Sequence, residues 1–223
     1  MTATEIIIPA QDALLSGELN LPEKALGLVL FAHGSGSSRH SPRNQLVART
    51  LREAGVGTLL FDLMTAAEER AEALTRHLRF DIPFLAQRLI AATKWALDEA
   101  TTKDISIGYF GSSTGAAAAL VAAAELREKI NAVVSRGGRP DLAGEALERV
   151  RAPTLLIVGG DDSEVIRLNE GAYGQLPCEK SFRIVPGATH LFEERGALEA
   201  VAKMASEWFV DHLQPMARAR LNV

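Results

Sequence analysis

A single cysteine, Cys178, stands in this 223-residue chain. A lone thiol can form no internal disulfide and cannot build a thiolate zinc site. Its neighbours give no reason for a lowered pKa, so it is expected to be inert. Basic charge is also short: 24 Lys and Arg face 28 Asp and Glu, a net charge of −4. No basic field exists to hold a polyphosphate, and a nucleic-acid partner is disfavoured. No apolar run approaches the roughly 20 residues that span a bilayer. The richest stretch, 116–124, is short and mostly alanine. The opening residues MTATEIIIPAQD lack the basic start and long apolar segment of a signal peptide. These absences predict a cytoplasmic protein with no membrane partner; they leave its oligomeric state open. Linkers, repeats and low-complexity segments are missing as well, so residues 1–223 read as one domain. What is present is ordinary for a globular chain, 47% hydrophobic and 23% charged. At this size roughly 70% of the unfolded surface is buried on folding, enough for one core without a metal or disulfide staple.

Strand-like and helix-like segments alternate, which predicts an α/β fold with a mostly parallel, doubly wound sheet and helices on both faces. Strands are expected at 4–8, 13–20, 26–32, 56–61, 105–110, 131–135, 154–158 and 181–185. The first two are joined through Gln11-Asp12, short enough for an antiparallel hairpin. Segment 26–32, LGLVLFA, is apolar on both faces, as a strand covered on both sides must be. Helices are expected at 42–54, 82–99, 164–174 and 193–213, with one more following residue 113. Ser41 and Asp81 are placed to cap the first two, and Pro42 sits where its missing N–H costs nothing. In the last helix Leu198, Val201, Ala205, Trp208 and His212 share one face. Residues 65–79 are charged and read as an exposed helical excursion.

Three residues stand out by their context. Ser113 lies in Gly111-Ser112-Ser113-Thr114-Gly115, a G-x-S-x-G pattern between an apolar strand and a helix start. The glycine and serine content gives about 0.08 chance matches in a chain of this length, so the pentapeptide alone is moderately specific. Its position adds more, because a sharp strand-to-helix turn exposes the serine and the helix N-terminus favours developing negative charge. Ser112 is a rival that does not fit the glycine spacing. Asp162 follows a strand in LLIVGGDDSE, and His190 follows another in VPGATHLF. Open α/β sheets place function at that edge. A serine hydroxyl needs an imidazole to take its proton, and the imidazole needs a carboxylate to fix its tautomer. A fourth element is His33-Gly34-Ser35-Gly36, at the end of strand 26–32. There the N–H of Ser35 and the N–H of Thr114 would form an oxyanion hole. His33 would shape that loop through hydrogen bonds.

On these residues the chain resembles the small α/β-hydrolases of the dienelactone-hydrolase-like group. The resemblance runs from about residue 6 to 213. It rests on His33-Gly34-Ser35, the turn around Ser113, the turn 158–162 and residues 187–190, in the order Ser…Asp…His. It implies hydrolysis of a small carboxylic ester or related acyl bond through Ser113, His190 and Asp162, with no cofactor and no metal. The substrate partner would be a small acyl ester. Family turns of the form G-x-x-D select Asp162 from Gly159, with Asp161 as the alternative. Dienelactone hydrolases proper use a cysteine at the turn, so serine here favours a general carboxylesterase. The 17 residues 136–152 are too few for the cap domain of larger relatives; the site should be open, with 63–80 as the one partial lid.

Arg39, Arg43 and Arg136, with His40 and Arg139, fall in loops at the same edge and are candidates for binding an acidic substrate; the rival reading is solvated loop arginines. Two other functions compete. Gly34-Ser-Gly36 followed by Asp62 hints at dinucleotide binding, but Arg39 replaces the third glycine of that motif. A catalytically silent hydrolase-fold binding protein is the other, because fold does not fix function. An acyltransferase or thioesterase would use the same triad.

Overall fold

A computed structural model describes residues 3–11 and 13–213; Asp12 of the expected hairpin lies outside them. The described strands are β1 (Thr4–Ala10), β2 (Ala13–Asn20), β3 (Leu28–Ala32), β4 (Gly57–Phe61), β5 (Ile107–Ser112), β6 (Ile130–Arg136), β7 (Thr154–Gly159) and β8 (Lys180–Val185). They form one eight-stranded sheet in the order β1-β2-β4-β3-β5-β6-β7-β8. β2 is antiparallel to both β1 and β4, and the remaining pairs are parallel.

The helices are α1 (Pro42–Glu53), α2 (Ala66–Thr75), α3 (Ile82–Asp98), α4 (Thr114–Leu126), α5 (Ser163–Gln175) and α6 (Ala197–His212). Strand residues alternate between two cores. Leu28, Leu30 and Ala32 of β3 join the cluster beneath α3 and α4. Val29 and Phe31, between them, join the cluster beneath α1 and α6. This two-sided burial is why β3 has no polar residue. Each fully buried Leu or Phe contributes about 1.5–3 kcal/mol.

Local chemistry sets the helix starts. Ser41 and Asp81 accept hydrogen bonds from Asn44 N–H and Phe84 N–H, and Pro residues occupy the first turn of both helices. Thr65 and Glu68 form a reciprocal capping box that starts α2. The alanines of α4 are buried against the sheet.

One helix differs from expectation. α6 begins at Ala197, because 194–196 form a turn; its buried stripe is Val201, Ala202, Ala205 and Phe209. Small alanines let the helix lie close to the sheet, while Trp208 is displaced to the margin and stacks on His212 at 4.2 Å. Residues Pro140–Arg149 form a 3-10 segment broken at Gly144. No cap domain is inserted there. Among the described residues no helix is long and apolar enough to cross a membrane.

Candidate active site

β5 ends in a turn that forces Ser113 to φ 52°, ψ −123°, a conformation that side-chain-bearing residues avoid. The surroundings hold it there. Ser113 N–H donates to Arg136 O at 3.3 Å, and Ser113 O accepts from Ala116 N and Arg139 N, both at 3.1 Å. The flanking glycines are steric requirements. A Cβ on Gly115 would meet Ala32 O at 2.1 Å, and one on Gly111 would meet Ala116 Cα at 2.5 Å. Ser112 remains buried within β5. Thr114 opens α4, so its N–H is one of the unpaired donors of a helix start.

Asp162 occupies the N-cap position of α5 but makes no capping bond. Its carboxylate instead faces His190, whose Nδ1 lies 2.7 Å from Asp162 Oδ2. The pairing falls to Asp162 and not to its exposed neighbour Asp161. The His190 loop is held from beyond: Thr189 N–H and Thr189 Oγ1–H donate to Glu194 at 3.1 and 2.6 Å. The Thr189 hydroxyl, and then the backbone N–H groups of Glu194 and Thr189, hold the Glu194 carboxyl below its usual range. Glu194 was not singled out from the sequence. Its only signal is a carboxylate placed to close a turn five residues after Thr189.

Ser113, His190, Ser35 and Thr114 line one cavity of about 390 Å³. Ser35 Oγ and Thr114 Oγ1 are 3.1 Å apart, which brings the two expected oxyanion residues together. His33, buried at the root of this loop, accepts from Leu63 N–H at its Nε2 (3.0 Å) and lies 3.1 Å from Gly34 O through Nδ1. These contacts require the Nδ1–H tautomer. Burial pushes its pKa below the ordinary histidine value, so the ring is neutral at pH 7. The Ser113 hydroxyl has no hydrogen bond among the described residues. In an empty site such contacts are often long and tighten on substrate.

The arginines differ from the expectation. Arg39 is clasped by Asp62 through both its backbone N–H, at 2.8 Å, and its guanidinium. Asp62, the acid of the dinucleotide reading, is thereby occupied. Arg43 points to Glu193 at 3.3 Å. Arg136 is 8% exposed and is not among the residues that line the cavity. Burial, and then the nearby charge of Arg43, push its guanidinium down to about 10. Of the expected arginines Arg139 does line the cavity, and it is joined there by Arg76 and Arg79. Arg79 is held by the buried carboxylate of Glu72, and Arg139 is paired with Asp141 at 2.7 and 2.9 Å. The reason for the exchange is the 66–80 excursion, which folds back so that Arg76, Arg79 and Phe80 wall the cavity. Ser35 Oγ–H donates to Arg79 O at 3.3 Å and ties that wall to the oxyanion loop. A larger cavity of about 480 Å³ adjoins it across Arg79, lined by Ser37, Ser38 and His40. Cys178 is half-buried, and burial pushes its thiol up.

Known proteins agree with this architecture. A family model described as an alpha/beta hydrolase domain matches residues 25–214. The crystal structure of a dienelactone hydrolase from Anabaena variabilis is 56% identical, with a TM-score of 0.94 over 96% of this chain and 99% of that one. Est1E from Butyrivibrio proteoclasticus shares the fold at a TM-score of 0.77, with 18% identity over 93% of this chain and 98% of that one. A Mycobacterium tuberculosis protein, provisionally named a phosphoribosyl transferase, is 56% identical over 209 residues. Those residues are 94% of this chain and 46% of that relative, so the chain spans about half its length.

Proposed function

The chain belongs to the α/β-hydrolase domain family, and from that premise we propose that it is a serine hydrolase cleaving a small carboxylic ester. The observation that carries this reading is the His190–Asp162 pair at 2.7 Å, with His190 lining the same cavity as the strained Ser113. In the proposed reaction Ser113 Oγ attacks the acyl carbonyl while His190 Nε2 takes its proton. Asp162 accepts from Nδ1–H, fixes the tautomer and stabilises the imidazolium. The N–H groups of Ser35 and Thr114 hold the oxyanion. Collapse expels the alcohol with the proton from His190 and leaves an acyl-serine. Water, deprotonated by His190, then releases the acid and restores Ser113.

The test is intact mass after reaction with a small fluorophosphonate, followed by peptide mapping. A single adduct on Ser113 is expected, and Ser113→Ala should abolish it and lower kcat by up to about 10⁶-fold. Undiminished ester turnover in that variant overturns the reading. The name of the mycobacterial relative supplies a second reading, phosphoribosyl transfer, although that name belongs to a protein more than twice this length. The two part at the nucleophile: transfer from a phosphoribosyl donor to a base needs no acyl-serine, so it would survive Ser113→Ala.

A further inference from the structure

The dipeptide Arg136-Gly137 ends β6 and touches both limbs of the proposed site. Toward the nucleophile, Ser112 pairs with Arg136 in the β5–β6 register, and Arg136 O accepts Ser113 N–H at 3.3 Å. Toward the base, a Cβ on Gly137 would lie 3.2 Å from His190 O, 3.3 Å from Phe192 Cε2 and 3.7 Å from His190 Cε1. Gly137 has φ +51°, so no larger residue fits without strain. The guanidinium carbon of Arg136 lies 5.9 Å from the centroid of the Phe192 ring.

Phe192 is itself unusual. It is 1% exposed and has φ +56°, which a bulky aromatic adopts only where its surroundings over-determine it. It stands two residues after His190 and its N–H donates to Thr189 O at 3.2 Å. Whatever fixes its ring therefore fixes the turn that carries the base.

Arg136 is more than nine-tenths buried, and its Nε and Nη1 have no hydrogen-bond partner among the described residues. Those two nitrogens have almost no exposed surface. A buried charge without a carboxylate is costly, and an apolar side chain of similar length would fill the space at lower cost. The face of Phe192 is the group set against the cation.

We infer that Arg136 is a positioning residue: its guanidinium, held against Phe192, keeps the His190 loop in register with the nucleophile turn. The inference rests on the serine-hydrolase reading. With p-nitrophenyl acetate as probe, Arg136→Met should lower kcat by about 10- to 100-fold, with KM within about twofold and cooperative thermal unfolding retained. Arg136→Lys should recover part of the loss. The unmodified protein should show a downfield proton signal from the His190 Nδ1–H bond to Asp162, and that signal should weaken in Arg136→Met. Full kcat with an unchanged proton signal in Arg136→Met overturns the inference and leaves Arg136 a packing residue. If Arg136→Met does not fold, Phe192→Leu carries the same test, and full kcat there overturns the inference equally. A protein that neither turns over the ester nor labels at Ser113 sinks the hydrolase reading instead, and the proton signal still decides the role of Arg136.

Discussion

Ser113 holds a backbone conformation that its neighbours must enforce, so the side chains around it are constrained by hard contacts. Gly115→Ala would set a methyl 2.1 Å from Ala32 O, and β3 cannot retreat because it is hydrogen-bonded on both sides. The expected loss is about 3 kcal/mol, read from the midpoint of urea unfolding. His33 makes a prediction of opposite character. Burial lowers its native pKa, while the unfolded chain titrates near 6.5. Below about pH 6.5 the unfolded state binds a proton that the native state refuses. The stabilisation is therefore complete above that pH and is lost as the pH falls toward the depressed native value. Thermal unfolding between pH 7 and 5 should show a fall in Tm that is shallower in His33→Gln. An identical slope in both proteins would remove His33 as its source.

At the scale of elements, α2 and the residues after it decide the shape of the site. α2 packs little apolar surface and depends on its ends: the Thr65–Glu68 box at the start, and the buried Glu72 that accepts from Leu78 N–H at 2.7 Å and from Arg79. Thr65→Ala should cost about 1 kcal/mol locally. It should speed hydrogen exchange in 66–80 and raise KM more than it lowers kcat, because this segment walls the cavity without touching the base. Equal exchange rates in variant and parent would show that the cap does not hold the wall. The elements themselves were legible in the sequence. The strand 26–32 read as doubly buried because every residue is apolar, and α3 read as a helix because Leu85, Leu89, Ala92 and Ala96 recur on one face. The inner stripe of α6 was less legible. Val201 and Ala205 were read correctly, but hydrophobicity favoured Leu198 and Trp208 where the buried stripe holds Ala202 and Phe209.

In the whole molecule both cores share one sheet, so neither can melt alone. Leu30 faces α3 and α4, whereas Phe31 faces α1 and α6 and lies 5.0 Å from Phe110. Leu30→Ala and Phe31→Ala should each destabilise by about 3–5 kcal/mol, and both should lower the same calorimetric transition. Two separable transitions would contradict a single cooperative unit. The sequence by itself determined the element order, the doubly wound sheet and the positions of Ser113, Asp162, His190, Ser35 and Thr114. Those features follow from local spacing: a strand's periodicity gives its end, and the edge beyond that end is where the residues stand. Only the tertiary structure decided which charges meet the cavity. Arg39 is claimed by Asp62, 23 residues away, while Arg76 and Arg79 arrive on the 63–80 segment, which read as a candidate partial lid without its arginines being singled out. A long cationic side chain reaches whichever carboxylate or cavity the chain path brings near, and sequence spacing does not encode that path.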